Sequence, residues 1–142
     1  IDPERAVIRL AGGEEVRCAV VAGCDGFHGV SRPAAGALEV FERVYPFAWL
    51  GILARAAPSS EELIYTHSDR GFALHSMRSP SVTRLYLQVP PDEDVAEWPD
   101  ERIWEELQTR MATADGAFAL NEGEIFEKGV APMRSFVAEP MR

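Results

Sequence analysis

Ser76 and Arg78 form the first pair whose spacing suggests chemistry, because they lie two positions apart in an apolar stretch typical of a β-strand. Alternate residues of a strand share one face, so a hydroxyl and a guanidinium project together, roughly 7 Å apart. On the next predicted strand Arg84 and Tyr86 share a face, and Tyr65 on the preceding strand presents a phenol to the same pocket. An arginine fork with hydroxyl groups suits a bound carboxylate. The alternative is a solvated sheet face with scattered polar groups.

A second candidate site is the glycine-rich stretch 23–32, which follows the apolar residues 20–22. The apolar residues are predicted to end a strand, and the polar residues after the turn are predicted to open a helix. Three glycines within seven residues let backbone approach a ligand closely, and Asp25 and Arg32 supply opposite charges at the end of the strand. The pattern indicates a ligand-binding turn, and a tight turn without a ligand is the alternative.

The acidic balance of the chain limits its partners. With 142 residues, of which 46% are hydrophobic and 26% charged, the chain suits one globular domain with a real core. A formal net charge of -9 disfavours nucleic acid and anionic membranes, because both require a basic surface. Any anionic ligand must then be held by local arginines.

The cysteines and the start of the chain bear on where the protein resides. Cys18 and Cys24 lie six residues apart on one predicted extended segment, too far apart for a disulfide, so we expect reduced thiols in a cytoplasmic protein. The spacing of Cys and His indicates no metal site, and no apolar run approaches the length of a membrane span. Because the chain does not begin with Met, we expect it to be part of a longer protein.

The elements that position these residues are mostly antiparallel strands. Strands are predicted over 6–10, 15–22, 40–54, 62–67, 71–78, 83–89, 125–130 and 135–138. A helix is predicted to open at Pro99, with an apolar stripe of Ile103, Trp104, Leu107 and Met111. The predicted fold class is α+β: a mainly antiparallel sheet with one or two helices, preceded by a hairpin and the Asp-Gly turn.

Several segments resemble one enzyme family in order and spacing. Residues 23–32 resemble the Asp-Gly fingerprint of flavoprotein aromatic hydroxylases, and residues 40–47 extend the match. The resemblance continues through 62–65, 70–74, 85–90 and 131–137. It covers only the middle of that family's longer polypeptide, since the family's Gly-x-Gly-x-x-Gly loop and its later Gly-Asp motif are absent from the chain.

The resemblance implies roles for the polar residues of the predicted sheet. By position, the family's ligands for the substrate carboxylate fall on Ser76, Arg78 and Tyr86. The phenol that contacts the substrate hydroxyl and helps to deprotonate it falls on Tyr65, and deprotonation makes the ring electron-rich for oxygen transfer. The family's flavin-positioning arginine falls on Arg84. Tyr65 and Arg84 are therefore the predicted catalytic residues.

The resemblance also implies residues that bind cofactors. Those that the family uses toward the reduced nicotinamide fall on His28 and Arg134. Asp25, Gly26 and Arg32 fall in the cleft that holds the flavin and the nicotinamide.

The implied activity is a flavin-dependent monooxygenase that hydroxylates 4-hydroxybenzoate, a small aromatic carboxylate, with FAD, O2 and NAD(P)H. In this scheme residues 1–38 belong to the FAD/NAD(P)-binding domain and residues 39–142 to the substrate-binding domain. Two alternatives remain open: a stand-alone module that binds aromatic carboxylates without flavin, and a fragment that self-associates through strand edges. We expect the isolated segment not to retain FAD, to be inactive and to form a homodimer.

Overall fold

The computed structural model describes residues 1–139 and divides the chain into two compact units. The N-terminal unit comprises Ile1–Glu42 together with the chain from Phe136, and the sheet unit comprises Arg43–Ser135. Within residues 1–139, none of the helices has the length and apolar character needed to cross a membrane.

The N-terminal unit begins with the predicted hairpin. Strand β1 (Val7–Arg9) pairs antiparallel with β2 (Glu15–Arg17). The prediction that the second strand continues to residue 22 is wrong: residues 18–30 contain no strand or helix, and Val20 is 78% exposed. Apolar side chains that bury no surface provide little to stabilise a strand. The predicted helix opening is confirmed as the four-residue helix α1 (Ser31–Ala34).

The main sheet has five strands in the order β4-β5-β6-β3-β7. These are β3 (Glu39–Arg55), β4 (Ile64–Ser68), β5 (Gly71–Ser79), β6 (Val82–Val89) and β7 (Glu124–Glu139). Strand β4 pairs antiparallel with β5, β5 with β6, and β6 with β3. The predicted α+β class, with a mainly antiparallel sheet behind a hairpin, is confirmed.

The two closing strands predicted from the sequence are a single strand, β7, which runs through Pro132. Proline supplies no N–H to a ladder, and β7 lies at an edge of the sheet, where this omission is tolerated. Pro46 lies within β3 but before Ala48, where the pairing with β6 begins, so it removes no hydrogen bond from that ladder.

The core lies between one face of the sheet and helix α2 (Asp100–Met111). A short 3-10 helix (Val95–Glu97) precedes α2, and Pro99 is the N-cap of α2. The predicted apolar stripe is buried, as are alternate residues of the strands; the core includes Leu50, Ile52, Leu85, Leu87, Ile103 and Leu107, each at most 1% exposed. Because one sheet face is occupied by α2, the intervening residues of each strand lie on the opposite face.

Candidate functional site

The strand register places the predicted polar residues in two adjacent rows across the open face of the sheet. In the first row Tyr65 lies opposite Leu74, Leu74 opposite Tyr86, and Tyr86 opposite Gly51. Two strand spacings separate Tyr65 from Tyr86, or about 10 Å between backbones.

The second row contains Ser76, which lies opposite Arg84, which in turn lies opposite Leu53. The Ser76 hydroxyl donates to the backbone oxygen of Arg84 at 3.5 Å. The polar residues of β5 and β6 that were predicted to share a pocket therefore lie next to each other in the fold.

A cleft of about 440 Å³ opens beside these rows, and we call it the sheet cleft. Its lining includes Gly51, Arg78, Arg84, Tyr86, Glu127, Lys128 and Gly129. The β5–β6 ladder shifts register between Met77 and Ser79, which leaves Arg78 unpaired in the ladder. Such bulges redirect side chains at functional sites, and here the bulged residue lines the cleft.

The electrostatics of the sheet cleft favour an anion. Arg78, Arg84 and Lys128 outnumber the single carboxylate of Glu127, in a chain whose net charge is -9. Lys128 is engaged, because its Nζ donates to Asp100 Oδ1 at 2.7 Å and to a backbone oxygen at 2.8 Å.

Arg84 provides the most specific signal of a ligand. Its Nε is buried and has no hydrogen-bond partner among residues 1–139, and its guanidinium carbon lies 5.7 Å from the centre of the Tyr86 ring. A buried N–H without an acceptor is costly, so a site that contains one is suited to a ligand that accepts a hydrogen bond.

Tyr65 shares the sheet face with this cleft but does not line it. The residue is 62% exposed, and its ring packs 5.5 Å from that of Phe72, centre to centre. Phe72 lies 4.9 Å from Trp49, and Trp49 lies 6.4 Å from Tyr86. Aromatic contacts thus run from Tyr65 to the tyrosine of the cleft.

Gly51 is a site residue that the sequence analysis missed. A Cβ at this position would come within 3.1 Å of Cε1 of Tyr86, so the absence of a side chain lets the Tyr86 ring lie against β3. A glycine in the interior of a strand signals such a close approach, and this signal was available in the sequence.

In the N-terminal unit the Asp-Gly turn is closed by one carboxylate. Asp25 accepts hydrogen bonds from the backbone N of Ser31 at 3.0 Å and from its hydroxyl. These bonds, that from the hydroxyl above all, hold the pKa of Asp25 below its usual range. A Cβ at Gly29 would overlap the Asp25 carboxylate, and a Cβ at Gly23 would overlap Ser31. Glycine is therefore required for the turn to close.

A groove of about 960 Å³, the loop groove, runs beside this turn within the N-terminal unit. Asp25, Gly26 and Arg32 line it together with small residues that include Gly23, Ala34, Ala35 and Gly36. The volume is in the range of cofactor sites, and small side chains allow backbone to approach a ligand. The lining carries two arginines, Arg9 and Arg32, and three carboxylates, those of Asp2, Glu4 and Asp25. The volume and the small side chains, and not an excess of positive charge, therefore fit part of a cofactor such as FAD.

The two predicted nicotinamide residues do not line the loop groove. His28 packs edge-on against Phe27, with ring centres 5.0 Å apart, and Arg134 lies on β7 in the sheet unit. Their assignment stays a prediction.

Comparisons with known proteins give two findings. The model of a family described as "FAD binding domain" matches residues 2–142. The chain is 48% identical over 130 residues to the p-hydroxybenzoate hydroxylase of Acinetobacter baylyi, an alignment that covers 90% of the chain and 32% of that relative. The chain therefore spans about a third of the length of this curated relative.

Proposed function

Because the chain belongs to the FAD binding domain family, we propose that it carries the substrate-holding sheet of a flavin-dependent monooxygenase that hydroxylates 4-hydroxybenzoate to 3,4-dihydroxybenzoate. In this proposal O2 supplies the oxygen atom and NAD(P)H the electrons. The similarity to a p-hydroxybenzoate hydroxylase supports the choice of substrate.

The observation that carries the proposal is the convergence of Arg78, Arg84 and Tyr86 in one cleft with an excess of positive charge. A ring carboxylate accepts hydrogen bonds from a guanidinium and a phenol at once, with the geometry of a charge-assisted pair. We assign the carboxylate to Arg78 and Tyr86, with Ser76 completing the hydrogen bonds from the adjacent row. The buried Nε–H of Arg84 also needs a hydrogen-bond acceptor from a bound molecule.

Tyr65 takes the other end of the substrate in this assignment. Its strand lies two spacings, about 10 Å, from that of Tyr86, so we assign the two phenols to opposite ends of one substrate ring. Its phenol accepts or relays the proton of the substrate hydroxyl, and loss of that proton enriches the ring in electrons.

For the cofactor we propose that Asp25, Gly26 and Arg32 of the loop groove hold part of FAD, and that Arg84 contacts the flavin. Bound FAD supplies the redox chemistry that activates O2 for transfer to the ring. His28 and Arg134 are proposed to bind the reduced nicotinamide.

The decisive experiment replaces the guanidinium that faces the carboxylate. In the holoenzyme Arg78→Ala should weaken the binding of 4-hydroxybenzoate by about 1.5–3 kcal/mol, roughly tenfold to hundredfold, because hydrogen bonds to charged groups have this magnitude. Phenol has no carboxylate, so its dissociation constant should hardly change. Equilibrium titration of both ligands measures the difference.

Arg55→Ala is the matched control, since Arg55 lies on the same sheet, pairs with Glu124 and does not line the cleft. It should leave both dissociation constants unchanged. Equal losses for 4-hydroxybenzoate and phenol in Arg78→Ala would contradict the carboxylate site. A carboxylate-selective loss in a protein that never binds flavin would favour the stand-alone binding module instead.

A further inference from the structure

Helix α2 carries a buried arginine that the proposed reaction does not use. The Arg110 side chain is only 7% exposed, and its Nε donates to Glu106 Oε1 at 2.7 Å, one turn earlier in α2. Its Nη1 donates to two backbone oxygens of the sheet, that of Phe72 at 3.1 Å and that of Gln88 at 2.8 Å. One guanidinium therefore joins the helix to both β5 and β6.

Glu106 connects the same point to the turn between β4 and β5. Its side chain is 12% exposed and accepts from Arg70 Nε at 3.0 Å and from Arg70 Nη2 at 2.5 Å. Gly71 follows at φ 107°, and a Cβ there would come within 3.2 Å of Arg110 Nη1. The turn thus requires glycine in order to admit the arginine.

Phe72 is the residue on which these contacts converge. Its backbone oxygen accepts from Arg110, and its backbone N donates to Gln88 Oε1 at 3.2 Å. Its ring lies between those of Trp49 and Tyr65, at 4.9 and 5.5 Å. The side chains of Arg110 in α2 and Gln88 in β6 thereby hold the backbone of Phe72, and the Phe72 ring supports Tyr65.

Tyr65 needs such support because of its place in the sheet. Among the strands of residues 1–139, β4 is at the edge of the sheet and has only β5 as a neighbour, and Tyr65 is 62% exposed. An exposed side chain on an edge strand has few contacts that select one position. The ring of Phe72 packs against that of Tyr65 and supplies such a contact.

We propose that Arg110, held by Glu106, is a positioning residue that acts through Phe72 to hold the Tyr65 phenol in register with the sheet cleft. The proposal rests on the proposed function for the role of the Tyr65 phenol. The position of the Tyr65 ring is measured separately from its effect on the substrate.

The test uses Arg110→Lys in the holoenzyme, with Arg102→Lys as the matched control. A lysine keeps the charge near Glu106 but cannot form the guanidinium bonds to Glu106 and both backbone oxygens. Arg102 lies on the same helix but packs on Trp98 and donates to a backbone oxygen of residue 97, and within residues 1–139 it forms no hydrogen bond to β5. Gln88→Met removes the acceptor for the Phe72 N–H and serves as a second variant should Arg110→Lys not fold.

Two readouts separate position from chemistry. The first is the ¹⁹F NMR signal of Tyr65 in protein labelled with 3-fluorotyrosine, assigned by its loss in Tyr65→Phe. The second is the pH midpoint for ionisation of bound 4-hydroxybenzoate, followed by its ultraviolet absorbance. In Arg110→Lys and Gln88→Met the Tyr65 signal should shift and the midpoint should move part of the way toward that of Tyr65→Phe, whereas Arg102→Lys should change neither.

An unchanged Tyr65 signal in both Arg110→Lys and Gln88→Met would overturn the positioning proposal, even if the melting temperature falls. A shifted signal with a midpoint that no variant moves, Tyr65→Phe included, would support the positioning and overturn the proposed role of Tyr65 in the reaction.

Discussion

The sheet cleft and the Asp-Gly turn both combine arginine, hydroxyl groups and glycine, yet they are held in different ways. The cleft residues alternate along strands with core residues that are essentially unexposed, such as Leu85 and Leu87. In the turn, none of residues 18–30 is buried, and the Asp25 bonds to Ser31 close the backbone.

Substitutions are therefore expected to affect the two sites in different ways. A site on strands takes its geometry from the register and the core, so a change to one of its side chains alters binding without opening the backbone of the sheet. A site on a loop depends on a few local hydrogen bonds, so one substitution opens the whole turn. Four predictions test this contrast, in order of decreasing effect.

The largest effect is expected in the core of the sheet unit. Leu107→Ala should lower the free energy of unfolding by about 2–5 kcal/mol, because it leaves a cavity at a fully buried position. Leu10→Ala, at a 47% exposed position of the N-terminal unit, is the control and should cost much less. Urea denaturation measures both. Similar losses would show that the two units do not differ in this way.

Gly51→Ala should weaken ligand binding and lower stability together. The new methyl pushes on the Tyr86 ring, and overpacking of this kind costs about 1–3 kcal/mol of stability; because Tyr86 lines the cleft, the binding of 4-hydroxybenzoate should weaken as well. Gly129→Ala, also in the cleft lining, places its Cβ where no atom lies within 4 Å and should leave the Tyr86 ring in place. Titration of the ligand compares them, and an equal effect of the two methyl groups would contradict the packing argument.

In the N-terminal unit, Gly29→Ala should open the turn. Its Cβ overlaps the carboxylate that Ser31 holds, so in the complete enzyme we expect FAD binding to weaken by roughly tenfold while the urea midpoint of the sheet unit stays constant. Gly12→Ala, in the hairpin turn, adds a methyl that meets nothing and serves as the control. Flavin fluorescence follows binding. A Gly29→Ala protein that binds FAD normally would show that the turn does not depend on the Asp25 bonds.

The smallest effect concerns His75, which is buried beneath the site on the core face of β5. Its Nε2 accepts from the backbone N of Ser59 at 3.1 Å, and burial lowers its pKa from the usual 6.5. The unfolded chain therefore binds the proton more readily, so stability should fall as pH drops below about 6.5, until the folded histidine also titrates. In His75→Gln this part of the pH dependence should disappear; an unchanged slope would assign it to other groups.

Much of the sheet and its helix was predictable because the signals are local. Alternation in 83–89 predicted which side chains of β6 face the core, and the stripe from Ile103 to Met111 predicted the buried face of α2. The resemblance added the roles of Tyr65, Ser76 and Arg78, which alternation alone leaves open.

Residues 18–30 show where local signals mislead. Val20 and its apolar neighbours have the composition of a strand, but no neighbouring strand in the described chain pairs with them. Composition measures a preference, whereas a strand also requires a partner.

Residues close along the chain were enough to predict most of the helices and strands, the polar face of β6 and the turn at the Asp-Gly stretch. Folding of the whole chain is what places Tyr65 and Tyr86 in one row, puts Arg78 at a bulge and brings Arg110 to β5 and β6. Those contacts depend on the register of the strands and on the packing of α2, whose Arg110 lies 38 residues from Phe72 along the chain. No local pattern of residues encodes either one.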